Sequence, residues 1–198
     1  MKRNIITISR EHCTGGLDIA RKVAQDLNIP FYDKELITMA AKESGLSEES
    51  IAAVEKRHSA SLLYSLYTMG GDLPLNDQVY IIQSHIVSQL AEKGPCVIVG
   101  RCADYVLRDR PDVLKVFLHA TMDFRKKFAL AAGDFAPGTE DRIMELSIQK
   151  EDKRRASYYN YYTQNRWGEA QYYDMCLNAA LGIDACAELI EKAAQLEG

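Results

Sequence analysis

The sequence predicts an α/β fold in which helices cover both faces of a five-stranded parallel sheet. Five short apolar runs recur along the 198 residues, and a stretch with helical periodicity follows each of them. The runs are residues 5–8, 30–32, 96–99, 114–118 and 175–177. Strands that alternate with helices in this way pair in parallel, because each helix returns the chain across the sheet before the next strand begins. Covered faces on both sides are typical of such sheets.

The segments between these runs carry helix signals. Residues 19–27 present one apolar stripe, and Pro30 stops that helix soon afterwards. Asn76, Thr139 and Asp184 precede or open three later periodic segments, and their side chains are of the types that cap helix N-termini. We therefore expect these three residues to be N-caps.

Composition and charge exclude several classes of protein. A chain of 198 residues with 47% hydrophobic content buries one sizeable core, so we expect one domain. The formal charge of −4 argues against a dedicated nucleic-acid binder. No apolar run has the length of a membrane span, and the N-terminus has no signal-peptide pattern, so we expect a cytoplasmic protein without a membrane partner. The five cysteines are scattered, which indicates neither a disulfide framework nor a zinc site.

The segment after the first predicted strand has the layout of a phosphate-binding loop. Such loops bind anions through backbone N–H groups at a helix N-terminus, so they need small residues more than particular side chains. Thr14, Gly15 and Gly16 provide them. An ordinary tight turn is the alternative. The candidate loop comprises Ser9, Arg10, Glu11, His12, Cys13, Thr14, Gly15 and Gly16.

This loop lacks both side chains of the Walker A pattern G-x-x-x-x-G-K-[ST]. In that pattern the lysine reaches the β- and γ-phosphates and the hydroxyl binds Mg²⁺. Arg10 stands at the first glycine and Gly15 at the second. Gly16 takes the place of the lysine, and Leu17 that of Ser or Thr. Arg10 and Arg21 are the nearby cations that would restore part of the lost charge, and a role as solvated surface arginines is the alternative.

Charged residues also follow the second and third predicted strands, at the edge of the sheet where open α/β folds bind ligands. Asp33 and Lys34 come after the second strand, and Asp33 is either a ligand-binding carboxylate or the N-cap of the next helix. Arg101 and Asp104 come after the third strand. They either grip a ligand through a guanidinium fork and a carboxylate, or form a buried ion pair.

The densest charge run is KEDKRR at residues 150–155, and an aromatic group follows it at residues 158–173. Charge runs are usually solvated helix faces. The aromatic group has two interpretations, a stacking platform for single-stranded nucleic acid or packing between a helix and the core. The acidic net charge favours packing.

Five segments, in their order and spacing, resemble the cytidylate kinase-like family of P-loop proteins. The resemblance implies a P-loop fold of the nucleoside-monophosphate-kinase type over residues 1–198, with a helical lid at about residues 134–170. The family loop typically reads SREYGSGGREI, so the missing lysine is shared, whereas His12, Cys13 and Leu17 depart from it. The segments are ISREHCTGGLDIA, IPFYDKELI, GPCVIVGRCADYVLRDRP, EDKRRASYYNYYTQNRWG and YDMCLNAALGIDACAELI.

The resemblance also implies an activity. It implies a kinase that transfers the γ-phosphoryl group of ATP, with Mg²⁺, to a nucleoside monophosphate such as CMP or dCMP. Loop residues 9–16 would hold the donor phosphates, and Lys34, Arg101 and Asp104 would bind the acceptor. Mg²⁺ would take oxygen ligands from water and from side chains of the loop and of the segment after the second strand. The candidate ligands are Ser9, Thr14 and Asp33.

The resemblance extends to the lid. Asp152, Lys153 and Arg155 match the family's Asp-Lys-x-Arg, and Arg155 would stabilise the transferred group. Asp33 would orient the acceptor phosphate or waters on the metal.

Two alternatives remain at this stage. The missing loop side chains predict, as one alternative, a non-catalytic module of the same fold that binds a nucleotide or another anion. The other is an interaction protein, with a homodimer interface formed by SLLYSLYTMGGDLPL at residues 61–75 and the tyrosines of 158–173. Residues 59–75 are expected to form a helix followed by a turn.

Overall fold

The computed structural model describes residues 3–57 and 73–196. All five predicted strands are present and form one parallel sheet in the order β2-β3-β1-β4-β5, which confirms the predicted fold class. Nearly all of the predicted helix and turn at 59–75, and of the proposed dimer segment, lies outside the described residues. The strands are β1 (Ile5–Arg10), β2 (Phe31–Tyr32), β3 (Cys96–Val99), β4 (Val113–His119) and β5 (Met175–Asn178).

Helices separate the strands throughout the described part of the chain. Two single 3₁₀ turns, Ala170–Tyr172 and Ala179–Leu181, flank β5. None of the described helices is both long enough and apolar enough to span a membrane. The helices are α1 (Gly16–Asp26), α2 (Glu35–Ser44), α3 (Glu48–Arg57), α4 (Leu75–Lys93), α5 (Ala103–Val106), α6 (Met122–Ala131), α7 (Asp141–Thr163) and α8 (Ile183–Gln195).

The three predicted N-caps are wrong by one or two residues. Pro74, not Asn76, is the N-cap of α4, because the fixed φ of proline suits a helix entry. Glu140, not Thr139, is the N-cap of α7, and the Thr139 hydroxyl instead donates to a carbonyl of the preceding turn, 2.7 Å away. Asp184 lies in the first turn of α8, where its charge still complements the helix dipole.

Different helices cover the two faces of the sheet. On one face Ile6 and Leu118 pack with the buried residues of α1 and α8. On the other face Ile5 and Ile98 pack with α2 and α4. Because both faces are apolar and buried, the polar residues that follow the strands lie at the carboxyl edge of the sheet. The candidate site lies at this edge, where α7 reaches the ends of β1 and β3.

Candidate active site

A cleft opens at the carboxyl ends of β1, β2 and β3, and α7 closes one side of it. Four arginines and one carboxylate, that of Asp33, lie among its lining residues. A cleft with this excess of positive charge focuses an attractive potential on anions, even in a chain whose formal charge is −4. The lining residues are Ser9, Arg10, Asp33, Gly100, Arg101, Cys102, Arg154, Arg155, Tyr158, Tyr159 and Trp167.

Asp33 connects two of the four arginines. Its Oδ1 lies 3.4 Å from Nη1 of Arg101 and 3.7 Å from Nη2 of Arg10. The Arg101 nitrogen also lies 3.4 Å from the carbonyl oxygen of Val99. The Asp33 side chain makes no cap hydrogen bond to α2, whose N-cap is Lys34, so the capping alternative is not what the structure shows. Asp33 thus positions the arginines that face the cleft.

The turn after β3 is strained where it presents Arg101. Gly100, Arg101 and Cys102 all have positive φ, at 72°, 51° and 56°. Positive φ is uncommon for residues with a side chain and is often found at functional sites. The strained turn places the Arg101 guanidinium on the cleft side of the sheet edge.

Arg155 is a residue of α7 that reaches the loop. Its Nη1 donates to the carbonyl oxygen of Arg10 at 3.2 Å, and its Nη2 lies 3.4 Å from Nδ1 of His12. Burial and the Arg155 guanidinium together lower the pKa of Arg10 to about 9, and burial lowers the pKa of Arg155 as well. With a pKa of about 9, Arg10 remains protonated at neutral pH. Two guanidinium groups held this close disfavour each other's charge, so an anion between them would stabilise both.

The loop presents backbone N–H groups at the N-terminus of α1. Gly15, the N-cap of the 11-residue helix α1, has a φ of 73°. In the described part of the chain no hydrogen bond uses the N–H groups of Cys13, Gly15 or Gly16. The Thr14 hydroxyl donates to the carbonyl oxygen of Glu11 at 2.9 Å and so tightens the loop. Free N–H groups at the positive end of a helix are the donors that bind phosphate oxygens.

Cys13 packs the loop against α6 and α7. Its φ is 59°, so the position does require the conformation that glycine adopts more readily. Its side chain is 8% exposed and packs with Ala129 of α6 and Ile148 of α7. Burial raises the pKa of the Cys13 thiol to about 11, with a smaller contribution from Asp134. Cys13 is therefore a neutral thiol that acts as a small apolar side chain.

Arg125 on α6 holds the loop in place, and sequence analysis missed it. Its Nε donates to the carbonyl oxygen of His12 at 2.8 Å, and its Nη1 lies 3.1 Å from Oε2 of Glu11. Its Nη2 donates to Oδ2 of Asp152, whose Oδ1 accepts from the His12 N–H at 2.7 Å. Arg125 and Asp152 therefore grip both polar groups of one loop residue. Asp152 faces the loop backbone, not the arginine-lined side of the cleft.

The charged residues of α7 divide between the cleft and solvent. Arg154 lines the cleft and pairs with Glu151 at 3.0 Å, although the sequence did not single it out. Lys153 is exposed and is not among the lining residues, and the same is true of Lys34. The structure thus brings Arg154 and Arg155 to the cleft, and leaves the two lysines at the surface.

Asp104 lies apart from Arg101. It is 3% exposed, and its Oδ2 accepts a hydrogen bond of 2.6 Å from the hydroxyl of Tyr159, which itself lines the cleft. Burial raises the pKa of Asp104. The buried ion pair with Arg101 is not formed, because Arg101 pairs with Asp33. Asp104 is connected to the cleft through Tyr159.

Tyrosines of α7 pack on α4. Tyr162 stacks on Tyr80 with ring centroids 4.0 Å apart, and its hydroxyl donates to Asp77 at 2.9 Å. Tyr158 meets the Tyr80 ring edge-on. These contacts favour packing of α7 on α4 over a stacking platform for nucleic acid.

The described residues provide few ligands for a metal ion. Among residues 3–57 and 73–196 there is no group of three or more His, Cys, Asp or Glu side chains that could hold one. Ser9 and Asp33 are the hydroxyl and carboxylate donors that line the cleft. This set fits an ion carried mainly by substrate phosphates and water, as Mg²⁺ often is, rather than a resident metal.

Comparison with known families agrees with this geometry. The model of the cytidylate kinase-like family matches residues 5–180. The chain belongs to the cytidylate kinase-like family. The match spans the loop, Asp33, Arg101 and α7, so membership covers the whole cleft. No protein of curated function matches the chain significantly.

Comparison with solved structures of other proteins shows that this chain has a P-loop kinase fold. An uncharacterized protein from Eubacterium ventriosum ATCC 27560 is 26% identical, with a TM-score of 0.71 over 96% of this chain and 97% of that one. Shikimate kinase from Bacteroides thetaiotaomicron is 17% identical, with a TM-score of 0.56 over 97% and 98%. A gluconokinase from Sinorhizobium meliloti 1021 is 14% identical, with a TM-score of 0.54 over 98% and 92%. At these identities the two kinases show a common fold alone.

Proposed function

We propose that the protein is a nucleotide kinase that transfers the γ-phosphoryl group of ATP to a nucleoside monophosphate, CMP or dCMP. Family and fold support a kinase of nucleotides or other small molecules. The observation that carries the proposal is the cleft, where four arginines converge beside a loop with free backbone donors. Two polyanionic substrates, brought together for transfer, require this concentration of positive charge.

The donor would bind at the loop. The N–H groups of Cys13, Gly15 and Gly16 would donate hydrogen bonds to the β- and γ-phosphate oxygens at the N-terminus of α1. Arg125 and Asp152 would keep the loop in the shape that presents these donors, which makes them positioning residues. Mg²⁺ bound to the triphosphate neutralises part of its charge, and Ser9 and Asp33 would be its nearest protein oxygens.

The acceptor would bind on the side of the cleft formed by β2 and β3. A guanidinium pairs with two phosphate oxygens in a fixed fork, and Arg101 is held for this by Asp33 and Val99. The family resemblance adds Lys34 and Asp104 to the acceptor site. Lys34 is at the surface, and Asp104 would act through the Tyr159 hydroxyl.

Transfer would form one bond and break one. An oxygen of the acceptor phosphate attacks the γ-phosphorus, and the bond from that phosphorus to the β–γ bridging oxygen breaks, so that ADP leaves. Negative charge spreads over the equatorial oxygens of the group in flight. Arg155 and Arg154 line the cleft, and they would stabilise this charge in the transition state more than they stabilise the bound ATP.

A non-catalytic module that binds a nucleotide or another anion is the second candidate. The lysine and the Ser or Thr of the Walker pattern are absent from the loop, and Asp152 directs a carboxylate at the loop backbone. These observations favour binding without transfer. The cleft and the binding donors are common to both candidates, so only turnover separates them.

The test is incubation with ATP, Mg²⁺ and a panel of nucleoside monophosphates, with ADP and nucleoside diphosphates separated by chromatography. We expect one pyrimidine acceptor to yield its diphosphate. Arg155→Ala should lower kcat by on the order of 10²-fold or more, because a lid arginine acts mainly on the transition state. Arg142→Ala, an exposed position on the same helix, is the matched control and should leave kcat unchanged. ATP binding without any diphosphate would favour the second candidate.

A further inference from the structure

Within the loop, the side chain of Arg10 lies against Gly16, and the Walker pattern explains why these two positions are related. The pattern places glycine at its first position and lysine at its seventh. In this chain the first position is Arg10 and the seventh is Gly16. We infer that Arg10 is the phosphate-binding cation of this loop, and that the two positions have exchanged glycine and cation.

A side chain at position 16 would occupy the space that Arg10 fills. An ideal Cβ on Gly16 would lie 2.9 Å from both Cβ and Cγ of Arg10, and 3.3 Å from Cδ1 of Leu118. Real Cβ atoms essentially never show contacts of 2.9 Å. The side chains of positions 10 and 16 would therefore leave the backbone into the same space, and only one of them can carry the cation.

A second glycine lets the Arg10 guanidinium reach the cleft. An ideal Cβ on Gly100 would lie 2.7 Å from Nη1 of Arg10, so the guanidinium rests directly on the backbone of the turn after β3. Arg10 lines the cleft there, with its Nη2 3.7 Å from Asp33 and its own carbonyl held by Arg155. The Arg10 side chain thus begins beside Gly16 of the loop and ends with its guanidinium at Gly100 and Asp33, next to the residues proposed to bind the acceptor.

The ligand class follows from this position. The inference rests on the proposed function, in which the donor is a nucleoside triphosphate. A cation between the loop and the acceptor side would contact the terminal phosphates of the donor, as the lysine does in the ordinary pattern. A planar guanidinium adds two parallel donors, so we expect selectivity for the triphosphate over the diphosphate.

The inference is tested by restoring the Walker residues, glycine at position 10 and lysine at position 16. Arg10→Met keeps most of the side-chain volume but removes the charge, and it should weaken ATP binding by about 10- to 100-fold in calorimetry. Arg10→Gly should do the same. Gly16→Lys alone should not tighten binding and should lower the melting temperature, because the lysine meets Arg10. In the double variant Arg10→Gly with Gly16→Lys, the lysine enters vacated space and should recover at least about tenfold of the lost affinity. Arg21→Met, on the exposed surface of α1, is the control.

Each outcome of these experiments supports or overturns a stated claim. Unchanged ATP affinity in folded Arg10→Met would overturn the inference, and so would a double variant no better than Arg10→Gly. If wild-type protein binds ATP but transfers nothing, the proposed kinase activity is refuted. The role of Arg10 is then decided by the ATP affinities of the variants alone. Inorganic tripolyphosphate is the second probe. Wild-type protein that binds neither ATP nor tripolyphosphate would refute both.

Discussion

Replacing Arg125 by methionine tests whether the loop after β1 depends on a residue that no motif identifies. Methionine fills much of the same volume but carries no charge. The change removes the hydrogen bond to the His12 carbonyl and leaves the carboxylates of Glu11 and Asp152 without their shared cation. We expect a less stable protein with a distorted loop.

The magnitude follows from burial. Removing one partner of a buried ion pair costs about 3–5 kcal/mol. The Arg125 side chain is 5% exposed, but those of Asp152 and Glu11 are 17% and 26% exposed and keep some hydration, so we expect the lower end, about 3 kcal/mol. For a chain of this size, a loss of 1 kcal/mol lowers the melting temperature by about 2–4 °C. The expected decrease is therefore about 6–12 °C.

Thermal unfolding followed by circular dichroism measures this decrease, and calorimetry with ATP measures the state of the loop. Lys127→Met removes a charge from an exposed position of the same helix and should shift the melting temperature by no more than about 2 °C. If Arg125→Met melts within about 2 °C of wild type, the account of a loop held by Arg125 is wrong.

Three further predictions concern the residues around the cleft. Burial and Arg155 lower the pKa of His12 in the folded protein. As the pH falls below about 6.5, the unfolded chain therefore binds a proton before the folded protein does, and the free energy of unfolding declines. Between about pH 7.5 and 5, His12→Gln should lose less unfolding free energy than wild type. Tyr159→Phe removes the hydrogen bond to buried Asp104 and should cost about 1–3 kcal/mol in urea unfolding; a cost near zero would contradict this. Gly100→Ala should destabilise the protein more than Gly133→Ala, because both have positive φ but only the former meets Arg10, and only Gly100→Ala should weaken ATP binding.

The strands and the position of the site follow from local sequence. Each apolar run is short, and a segment with helical periodicity follows it, so the five strands are visible without tertiary information. Because parallel strands end at one edge, the side chains after them converge there, which is why Asp33 and Arg101 meet at the cleft. The loop follows the same logic, with Gly15 at the positive φ that its turn requires.

Side-chain partners do not follow from local sequence. Arg125 contacts a loop residue 113 positions away and a residue of α7 27 positions away, and a single arginine in an amphipathic helix gives no signal of such contacts. Asp104 matches a binding motif in spacing, but the fold buries it beside Tyr159. Lys153 lies next to two cleft-lining arginines in the same charge run, and only the angle at which the helix packs places it in solvent.

The exchange between positions 10 and 16 shows the same limit. Comparison of the loop sequence with the Walker A pattern shows that the lysine is missing and that Arg10 is nearby in the sequence. Only coordinates show that a Cβ at position 16 would overlap the Arg10 side chain. The sequence alone does not distinguish Arg10 from Arg21 as the cation that replaces the lysine. The three-dimensional structure does, because it places Arg21 on the exposed surface.

Phosphoryl transfer by this cleft without the Walker lysine can be followed by ³¹P NMR of the wild-type protein with ATP, Mg²⁺ and CMP. We expect the γ-phosphate signal of ATP to fall while the signals of ADP and of a second diphosphate, CDP, rise together. We also expect Arg155→Ala to slow this exchange by on the order of 10²-fold. Inorganic phosphate without CDP, or an unchanged spectrum while ATP is bound, would contradict the proposed transfer.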